Sequence, residues 1–428
     1  MGHRTLKRVP GSYGRLAERL NRFPQGAPPT ELLFRILKLL VNEREAGLLA
    51  QVPIRPFTAA KAAALWHMPE AEARKVLEGL AGRGMLLDLL DGPEARYVLP
   101  PPMAGFFEFS MMRVRGDVDQ KALAELFYEY LNVEEDFARE LFATGSTQLG
   151  RIFVDEGSLP RDDGALTVLD HERASAVVAG AKAIGVGLCY CRHKMAHLGR
   201  ACDAPLDICM TFGASAASLT RHGAARAVEA AEALDLLEQA RERRLVQFGE
   251  NVRKDVGFIC NCCGCCCEAL VAARRFGFLH PVHTTEWIPE LEGERCSGCG
   301  ACVAACPVEA LSLVSAHDPG RAAAKLAKLD EDPCLGCGVC VRACAKGALR
   351  LRRREARVLP PATTAHRVVE MAIERGRLAE LLVDGQASHG HRAVAGLLGA
   401  LLKLPPLKQA LASSQLRSRF VDRLLASH

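Results

Sequence analysis

Residues 296–313 read CSGCGACVAACPVEALSL, and a second copy of this stretch, CLGCGVCVRACAKGALRL, occupies residues 334–351. The copies lie 38 residues apart and agree at 11 of 18 positions, including all four cysteines, so they form an internal duplication. Each copy has the spacing C-x2-C-x2-C-x3-C, which wraps three thiols around one cluster and directs the fourth to the other cluster. Because thiolates are soft ligands suited to iron–sulfur centres, the duplication predicts two such sites.

The duplicated segment, residues 294–351, resembles a bacterial two-[4Fe–4S] ferredoxin domain, with eight cysteines in register. The resemblance implies a first cluster held by Cys296, Cys299, Cys302 and Cys344, and a second held by Cys334, Cys337, Cys340 and Cys306. Pro307 follows Cys306 as in the family, whereas Ala345 follows Cys344. A zinc site made from the paired C-x2-C units is the alternative, but it leaves the third and fourth cysteines of both copies unexplained.

Ten further cysteines lie upstream of the duplication. Four have the spacing C-x-C-x10-C-x6-C, enough for one more cluster: Cys189, Cys191, Cys202 and Cys209. Six lie within eight residues: Cys260, Cys262, Cys263, Cys265, Cys266 and Cys267. Neighbouring residues of a strand or helix point in different directions, so these six cannot all bind one cube. Either some join the upstream four, or they hold a centre of their own, and Gly264 permits a bend between them.

We therefore predict a third metal centre within residues 189–267, with only some of the ten cysteines as ligands. Alternatively, one of the upstream four serves only as a small buried hydrophobic residue. Cys209, whose neighbours form an apolar strand, is the candidate. Arg192 and His193 follow Cys191 and either donate to a sulfur or anion or, more commonly for such a pair, face solvent. Taken together, these segments resemble a group of cytoplasmic 4Fe–4S dicluster proteins of anaerobes, and that resemblance implies electron transfer.

Composition limits the other possibilities. The 428 residues carry a net charge of +5, which gives no strong reason to expect a nucleic-acid or membrane partner. No apolar run is long enough to span a bilayer, and the N-terminus lacks the apolar segment of a signal peptide. We therefore predict a cytoplasmic protein, in which 18 cysteines indicate metal binding, since disulfides are rare there.

The predicted fold class is multidomain α+β, with a winged-helix-like unit, a small cysteine-rich α/β unit, a ferredoxin-like domain and a helical C-terminus. The predicted divisions are residues 1–110, 111–250, 251–293, 294–351 and 355–428. In the winged-helix-like unit, helices at Thr58–Trp66 and Pro69–Ala81 precede a hairpin around Asp91 and Gly92. The second of these helices carries Glu70, Glu72 and Glu78 against Arg74 and Lys75, so it is not a basic stripe, which favours a packing role over DNA binding.

Periodicity also predicts individual elements after residue 170. Helices are expected at His171–Ala183, Ala224–Arg243, Ala365–Asp384, His391–Leu402 and Leu407–Leu425. Strands are expected at Val186–Tyr190, Cys209–Phe212 and Leu245–Phe248.

Three functions are compatible with these patterns. The first is an electron-transfer protein or subunit that serves one or more redox partner proteins. The second is a catalytic oxidoreductase whose third centre reduces a small molecule or a disulfide. The third, which the balanced charge of Pro69–Ala81 disfavours, is a redox-sensing DNA-binding regulator. The donor, the acceptor, the substrate and the oligomeric state stay open.

Overall fold

The structure is a computed structural model of the chain. It describes residues 11–160 except 91 and 93, residues 170–316, 324–355 and 359–383, and Val421, Asp422 and Leu425. Helices and sheets are both well represented, so the mixed α+β class is confirmed. In the part of the chain that is described, no helix combines the length and apolar character needed to cross a membrane.

The α-helices among these residues are α1 Ser12–Leu20, α2 Glu31–Leu40, α3 Glu43–Leu49, α4 Ala59–Trp66, α5 Glu70–Gly82, α6 Phe107–Phe109, α7 Gln120–Tyr128, α8 Glu135–Phe142, α9 Ala174–Gly180, α10 Tyr190–His197, α11 Gly213–Arg221, α12 Ala230–Glu242, α13 Glu268–Phe276, α14 Ala301–Ala305, α15 Val339–Ala343, α16 Thr364–Glu374 and α17 Leu378–Leu382. The strands are β1 Phe57–Thr58, β2 Leu87–Leu89, β3 Arg96–Val98, β4 Gly150–Ile152, β5 Ile184–Gly187, β6 Cys209–Phe212, β7 Arg226–Ala227, β8 Val246–Glu250, β9 Phe258–Cys262, β10 Trp287–Leu291, β11 Leu311–Ser315, β12 Lys325–Leu329 and β13 Leu349–Arg353.

The N-terminal part packs α1–α5 around a small sheet in the order β1-β3-β2. Thr30 caps α2 by accepting the backbone N–H of Leu33, and that helix buries Leu32, Leu33, Phe34, Ile36, Leu37 and Leu40. The sheet docks on the central body through Asp88 of β2, whose carboxylate accepts the Ser218 hydroxyl of α11 at 2.5 Å and also pairs with Arg221. These buried contacts between the two units favour a packing role for this part of the chain.

The central body is a six-stranded antiparallel sheet in the order β4-β8-β9-β6-β5-β7. Strand β9 lies in the middle and pairs with β8 on one side and β6 on the other. The division predicted after residue 250 therefore falls inside the β8–β9 hairpin. This pairing brings Cys260 of β9 beside Cys209 of β6, with Cys262 two residues further along β9.

Three predicted elements are wrong at their bounds. The strand predicted at Val186–Tyr190 ends at Gly187, because the next two backbone N–H groups bond to Met112 and Leu206 outside the sheet. The helix predicted at Ala224–Arg243 starts only at Ala230, since residues 226–227 pair with β5 as an edge strand. The helix predicted at His171–Ala183 is confined to Ala174–Gly180 by a preceding 3₁₀ turn.

The ferredoxin-like module consists of two β-pairs and two short helices. Strand β10 pairs with β13 and β11 pairs with β12, while α14 packs on α15. The second cysteine loop lies against the central body: the Asp155 N–H bonds to the Cys337 carbonyl at 2.9 Å. A side chain at Gly336 would place its Cβ 2.1 Å from the Trp287 carbonyl oxygen, so only glycine permits this close approach.

At the C-terminus, the helix predicted at Ala365–Asp384 is two helices, α16 and α17. The break occurs at Gly376, whose φ of 67° is in the left-handed region that favours glycine. Helix α16 is anchored to the central sheet by a buried ion pair between Arg367 and Glu250, 3.0 Å apart. The helices predicted at 391–402 and 407–425 fall outside the described residues, apart from Val421, Asp422 and Leu425.

Candidate metal centres

The two copies of the ferredoxin motif share local geometry around their fourth cysteine. The Ala310 N–H donates to the Cys306 sulfur at 3.2 Å, and the Ala348 N–H donates to the Cys344 sulfur at 3.3 Å. Donor and acceptor are four residues apart in both copies. Hydrogen bonds to cysteine sulfurs help to set the reduction potential of an iron–sulfur cluster. These cysteines and their N–H donors therefore fit iron–sulfur clusters.

The fourth cysteine of each copy lies near cysteines of the other copy: Cys306 near the first three of the second, and Cys344 near Cys302. Burial raises the pKa of the Cys337 thiol, and the nearby Cys306 and Cys334 raise it further. In the same way, burial raises the pKa of Cys302, with Cys344 and Cys296 contributing. This proximity agrees with the crossed ligand sets that the ferredoxin resemblance implies, which stay a prediction.

The two cysteine loops differ in exposure. Cys299 of the first loop is exposed, whereas Cys334 and Cys340 of the second are buried. The second loop is covered by Asp155, Ser158 and Thr285, which bond to its backbone. One predicted cluster site therefore lies near the protein surface and the other faces the central body.

Four of the upstream cysteines converge in a four-thiol group: Cys202, Cys263, Cys265 and Cys266. Their sulfur atoms all lie within 4.8 Å of one another. A hydrogen bond from Cys266, supported by the Arg192 guanidinium, lowers the pKa of Cys263 to about 5. Four thiols with one already acidic are a donor set suited to a single metal ion or cubane cluster.

The other six upstream cysteines form a second cluster of thiols, here called the six-thiol ring. All six line one cavity, and the pKa of each thiol is shifted by two of the others, so that the interacting pairs close in the order Cys189, Cys191, Cys267, Cys262, Cys260, Cys209 and back to Cys189. Their pKa shifts alternate around the ring: those of Cys189, Cys260 and Cys267 are lowered, and those of the other three are raised, chiefly through these interactions.

The secondary structure explains how ten thiols separate into two groups. Cys260 and Cys262 are two residues apart on β9 and so point to the same side, as alternation in a strand requires. The chain then turns at Gly264, which sends Cys263, Cys265 and Cys266 to the other group. Cys267 returns to the ring as the N-cap of α13.

Two helix N-termini point at the ring. Cys189 is the N-cap of α10 and Cys267 the N-cap of α13. After the contacts from neighbouring thiols, backbone N–H groups of these first turns lower the pKa of both cysteines. A helix N-terminus stabilises a thiolate because its free N–H groups and dipole favour negative charge.

Arg192 lies between the two thiol groups, so the solvent-facing basic pair expected at Arg192 and His193 is wrong. Arg192 is 1% exposed and donates to the Cys263 sulfur at 3.7 Å and to the Asn261 carbonyl at 3.2 Å. Burial alone would lower the pKa of Arg192, but the negative charge of the Cys189 and Cys263 thiolates raises it by more. The net effect is a raised pKa. His193 is also buried and contacts the Met111 carbonyl. Helix α10 turns these side chains inward because it packs on α7.

A buried polar triad connects the segments that carry the thiols. Lys194 of α10 donates to Glu268 of α13 at 2.6 Å and also to the side chain of Asn132, which itself donates to Glu268 at 2.8 Å. All three side chains are almost fully buried. The triad fixes the N-termini of α10 and α13, and with them Cys191 and Cys267.

The ring opens on a cavity of about 930 Å³. All six ring cysteines line it, together with apolar side chains that include Phe109, Met112 and Met210. Glu108 also lines it and accepts the backbone N–H groups of Ala104 and Gly105; burial raises its pKa to about 7. A cavity of this size is in the range that binds small molecules and cofactors.

Sequence patterns point to the thiols but not to these supporting groups. Arg192 adjoins Cys191 in the sequence, which was the one available signal for it. Asn132, Lys194 and Glu268 come from three separate segments, and Glu108 follows an irregular turn. Their association depends on the packing of α7, α10 and α13, which no local motif encodes.

Comparison with known protein families supports the ferredoxin-like module. Residues 295–348 match the 4Fe-4S dicluster domain family, and this match supports a ferredoxin-like 4Fe–4S domain there. Neither the curated proteins nor the solved structures gave a match to the chain. The matched family covers about an eighth of the chain, so the two upstream thiol groups rest on their own geometry.

Proposed function

We propose that this chain is an iron–sulfur electron-transfer protein or subunit that works in the cytoplasm with a redox partner protein. The observation that carries the proposal is the succession of three thiol groups. It begins at exposed Cys299, continues through the second ferredoxin loop, where Cys334 and Cys340 are buried, and reaches the four-thiol group, of which Cys266 is buried and Cys265 exposed. Bound iron–sulfur clusters supply one-electron chemistry, and the protein positions and insulates them.

The first ferredoxin cluster would be held by Cys296, Cys299, Cys302 and Cys344, and the second by Cys334, Cys337, Cys340 and Cys306. The paired N–H donors at Ala310 and Ala348 support these sets. The exposed position of Cys299 favours the first site for contact with a partner protein. The bacterial type of the module remains part of this proposal.

The third centre would be held by Cys202, Cys263, Cys265 and Cys266. The contact between Gly264 and Pro307 supports a route to it, because a Cβ at Gly264 would lie 2.7 Å from the Pro307 carbonyl oxygen. Pro307 directly follows Cys306, and Gly264 lies between Cys263 and Cys265. The two cysteine segments are thus in direct backbone contact.

Reversible reduction tests the function itself. Protein purified without oxygen is expected to take up one electron per cluster in a reductive titration and to return these electrons to a one-electron dye. The paramagnetic signals of the reduced clusters report the uptake. A chain that carries iron and sulfide but cannot be reduced and reoxidised in this way would contradict electron transfer.

Replacing Cys202 and Cys265 together with serine is expected to remove about four irons per chain, the content of one cubane. The reason is that the variant removes half of the four-thiol group. Iron and acid-labile sulfide measured per chain check the prediction, with Asp203→Asn, an exposed neighbour of Cys202, as the control. An iron content equal to that of the control would show that these thiols hold no centre.

Replacing Arg192 with methionine is expected to lower the reduction potential of the third centre. A buried cation stabilises the more negative, reduced state, and at about 7 Å with an effective dielectric of about 20 this is worth about 2 kcal/mol, or on the order of 100 mV. Redox titration followed by electron paramagnetic resonance checks it. Arg243→Met, at an exposed position after α12, is the matched control, and equal potentials in the two variants would contradict the role of Arg192.

A catalytic oxidoreductase is the second candidate, favoured by the cavity beside the six-thiol ring. A small ligand that perturbs the spectrum of only one centre would support it.

The redox-sensing DNA-binding regulator has little support from α5. Arg74 of this helix pairs with Glu70, and Glu72 pairs with Arg44, so the helix does not present a basic face. A gel-shift titration that shows no salt-sensitive binding to promoter fragments would remove it.

A further inference from the structure

The six-thiol ring is separate from the four-thiol group, although the two alternate along the chain. Cys262 is followed by Cys263, and Cys266 by Cys267, yet the members of each pair belong to different groups. The guanidinium of Arg192 lies between the groups, beside Cys189 on one side and Cys263 on the other. A buried cation between two sets of thiols is suited to separating two anionic centres.

We propose that the six-thiol ring is a metal site of its own, built for an iron–sulfur cluster larger than a single cubane. The donor atoms are the sulfurs of Cys189, Cys191, Cys209, Cys260, Cys262 and Cys267. This inference goes beyond the electron-transfer function, because it adds a centre with its own ligands and its own cavity.

The number of thiols carries the first part of the argument. A cubane takes one thiolate per iron, four in all, and a structural zinc ion also takes four. The four-thiol group already has that number. Six thiols that line one cavity exceed what one cubane or one zinc ion binds, so they fit a larger cluster in which some thiolates bridge metals.

Burial and charge carry the second part. Cys189, Cys209, Cys262 and Cys267 are buried and line the same cavity. Two helix N-termini and the Arg192 guanidinium supply positive potential around them. Metal binding requires thiolates, so these features lower the cost of deprotonating six neighbouring thiols.

The cavity gives the site access to a ligand. Cys191 and Cys260 are only partly buried, and both line the cavity with Glu108 and the apolar side chains around it. The four-thiol group reaches the same cavity through Cys263 and Cys266 alone. A small, largely apolar molecule that enters would meet the ring along all six of its cysteines.

Metal analysis of three matched variants tests the proposal. Full-length protein purified without oxygen is analysed for iron, sulfide and zinc per chain. The variants are the ring triple C189S/C209S/C260S, the four-thiol double C202S/C265S, and the control Met210→Leu, which alters a buried neighbour of Cys209. If the ring holds a cluster larger than a cubane, the wild type carries an excess of more than about four irons over the about 12 of the other three centres; an excess of only about four would mean an ordinary cubane and would overturn the proposal. The ring triple loses its excess while keeping the ferredoxin signals, and the four-thiol double loses about four irons independently.

Several outcomes would overturn it. The proposal fails if the ring triple keeps the full iron content of the M210L control. It fails if the ring triple and the four-thiol double lose the same irons, which would mean one shared site. It also fails if two zinc ions replace iron, since six thiolates can hold a binuclear zinc centre. Should the triple variant not fold, the single variant C260S, read by the loss of one paramagnetic signal, decides the same question. If the wild-type protein itself showed no paramagnetic signals from the ferredoxin clusters, that result would count against the electron-transfer function and not against the ring.

Discussion

Replacement of Lys194 by methionine is expected to lower the free energy of unfolding by about 3–5 kcal/mol. Lys194 is fully buried and donates to Glu268 at 2.6 Å, so its removal leaves a carboxylate buried without its cation. The loss is expected to exceed that of most surface substitutions many times over. Denaturant unfolding of anaerobically purified protein measures it.

Two further variants identify the cause. Lys121→Met removes an exposed lysine of α7 and is expected to change stability by no more than about 0.5 kcal/mol. The double variant K194M/E268Q removes the uncompensated charge while keeping an acceptor for Asn132, so it is expected to recover part of the loss. If K194M were as stable as K121M, or if the second substitution brought no recovery, the triad would not be what fixes α10 to α13.

The sequence was most informative where chemistry is encoded locally. The duplicated cysteine motif identified the ferredoxin-like module, because its ligands lie within two short segments whose spacing sets their geometry. Helices α4 and α5 were placed to within a residue or so by their caps and periodicity. In both cases the determining interactions connect residues a few positions apart.

Where contacts join distant segments, the sequence was much less informative. It showed that Cys260–Cys267 could not bind one cube, but not that Cys202 would meet Cys263 while Cys209 would meet Cys260. That division depends on the pairing of β6 with β9. A long-range contact also explains why the sequence favoured a solvent-facing Arg192. Helix α10 is buried by packing on α7, which lies over 60 residues earlier in the chain.

Replacing Gly264 with valine is expected to slow electron exchange between the ferredoxin module and the central body without loss of metal. Even a Cβ at this position would lie 2.7 Å from the Pro307 carbonyl oxygen and 3.0 Å from its Cα, so the segments must separate. The strain of such overpacking costs about 1–3 kcal/mol, which the fold can tolerate. Electron tunnelling falls exponentially with distance, so a small separation slows it by a large factor. Rapid-freeze paramagnetic spectroscopy after mixing with a reductant measures the order in which the centres fill.

The matched control is Gly293→Val, since Gly293 lies just before the same module and a Cβ there meets no atom within 4 Å. In the control, the third centre is expected to fill as fast as in the wild type. In G264V, the ferredoxin clusters should be reduced at the normal rate while the third centre lags behind them. If all centres fill together in G264V with iron content unchanged, electrons do not cross the Pro307 contact. The four-thiol group would then have to exchange electrons with a partner directly, through Cys265, its exposed member.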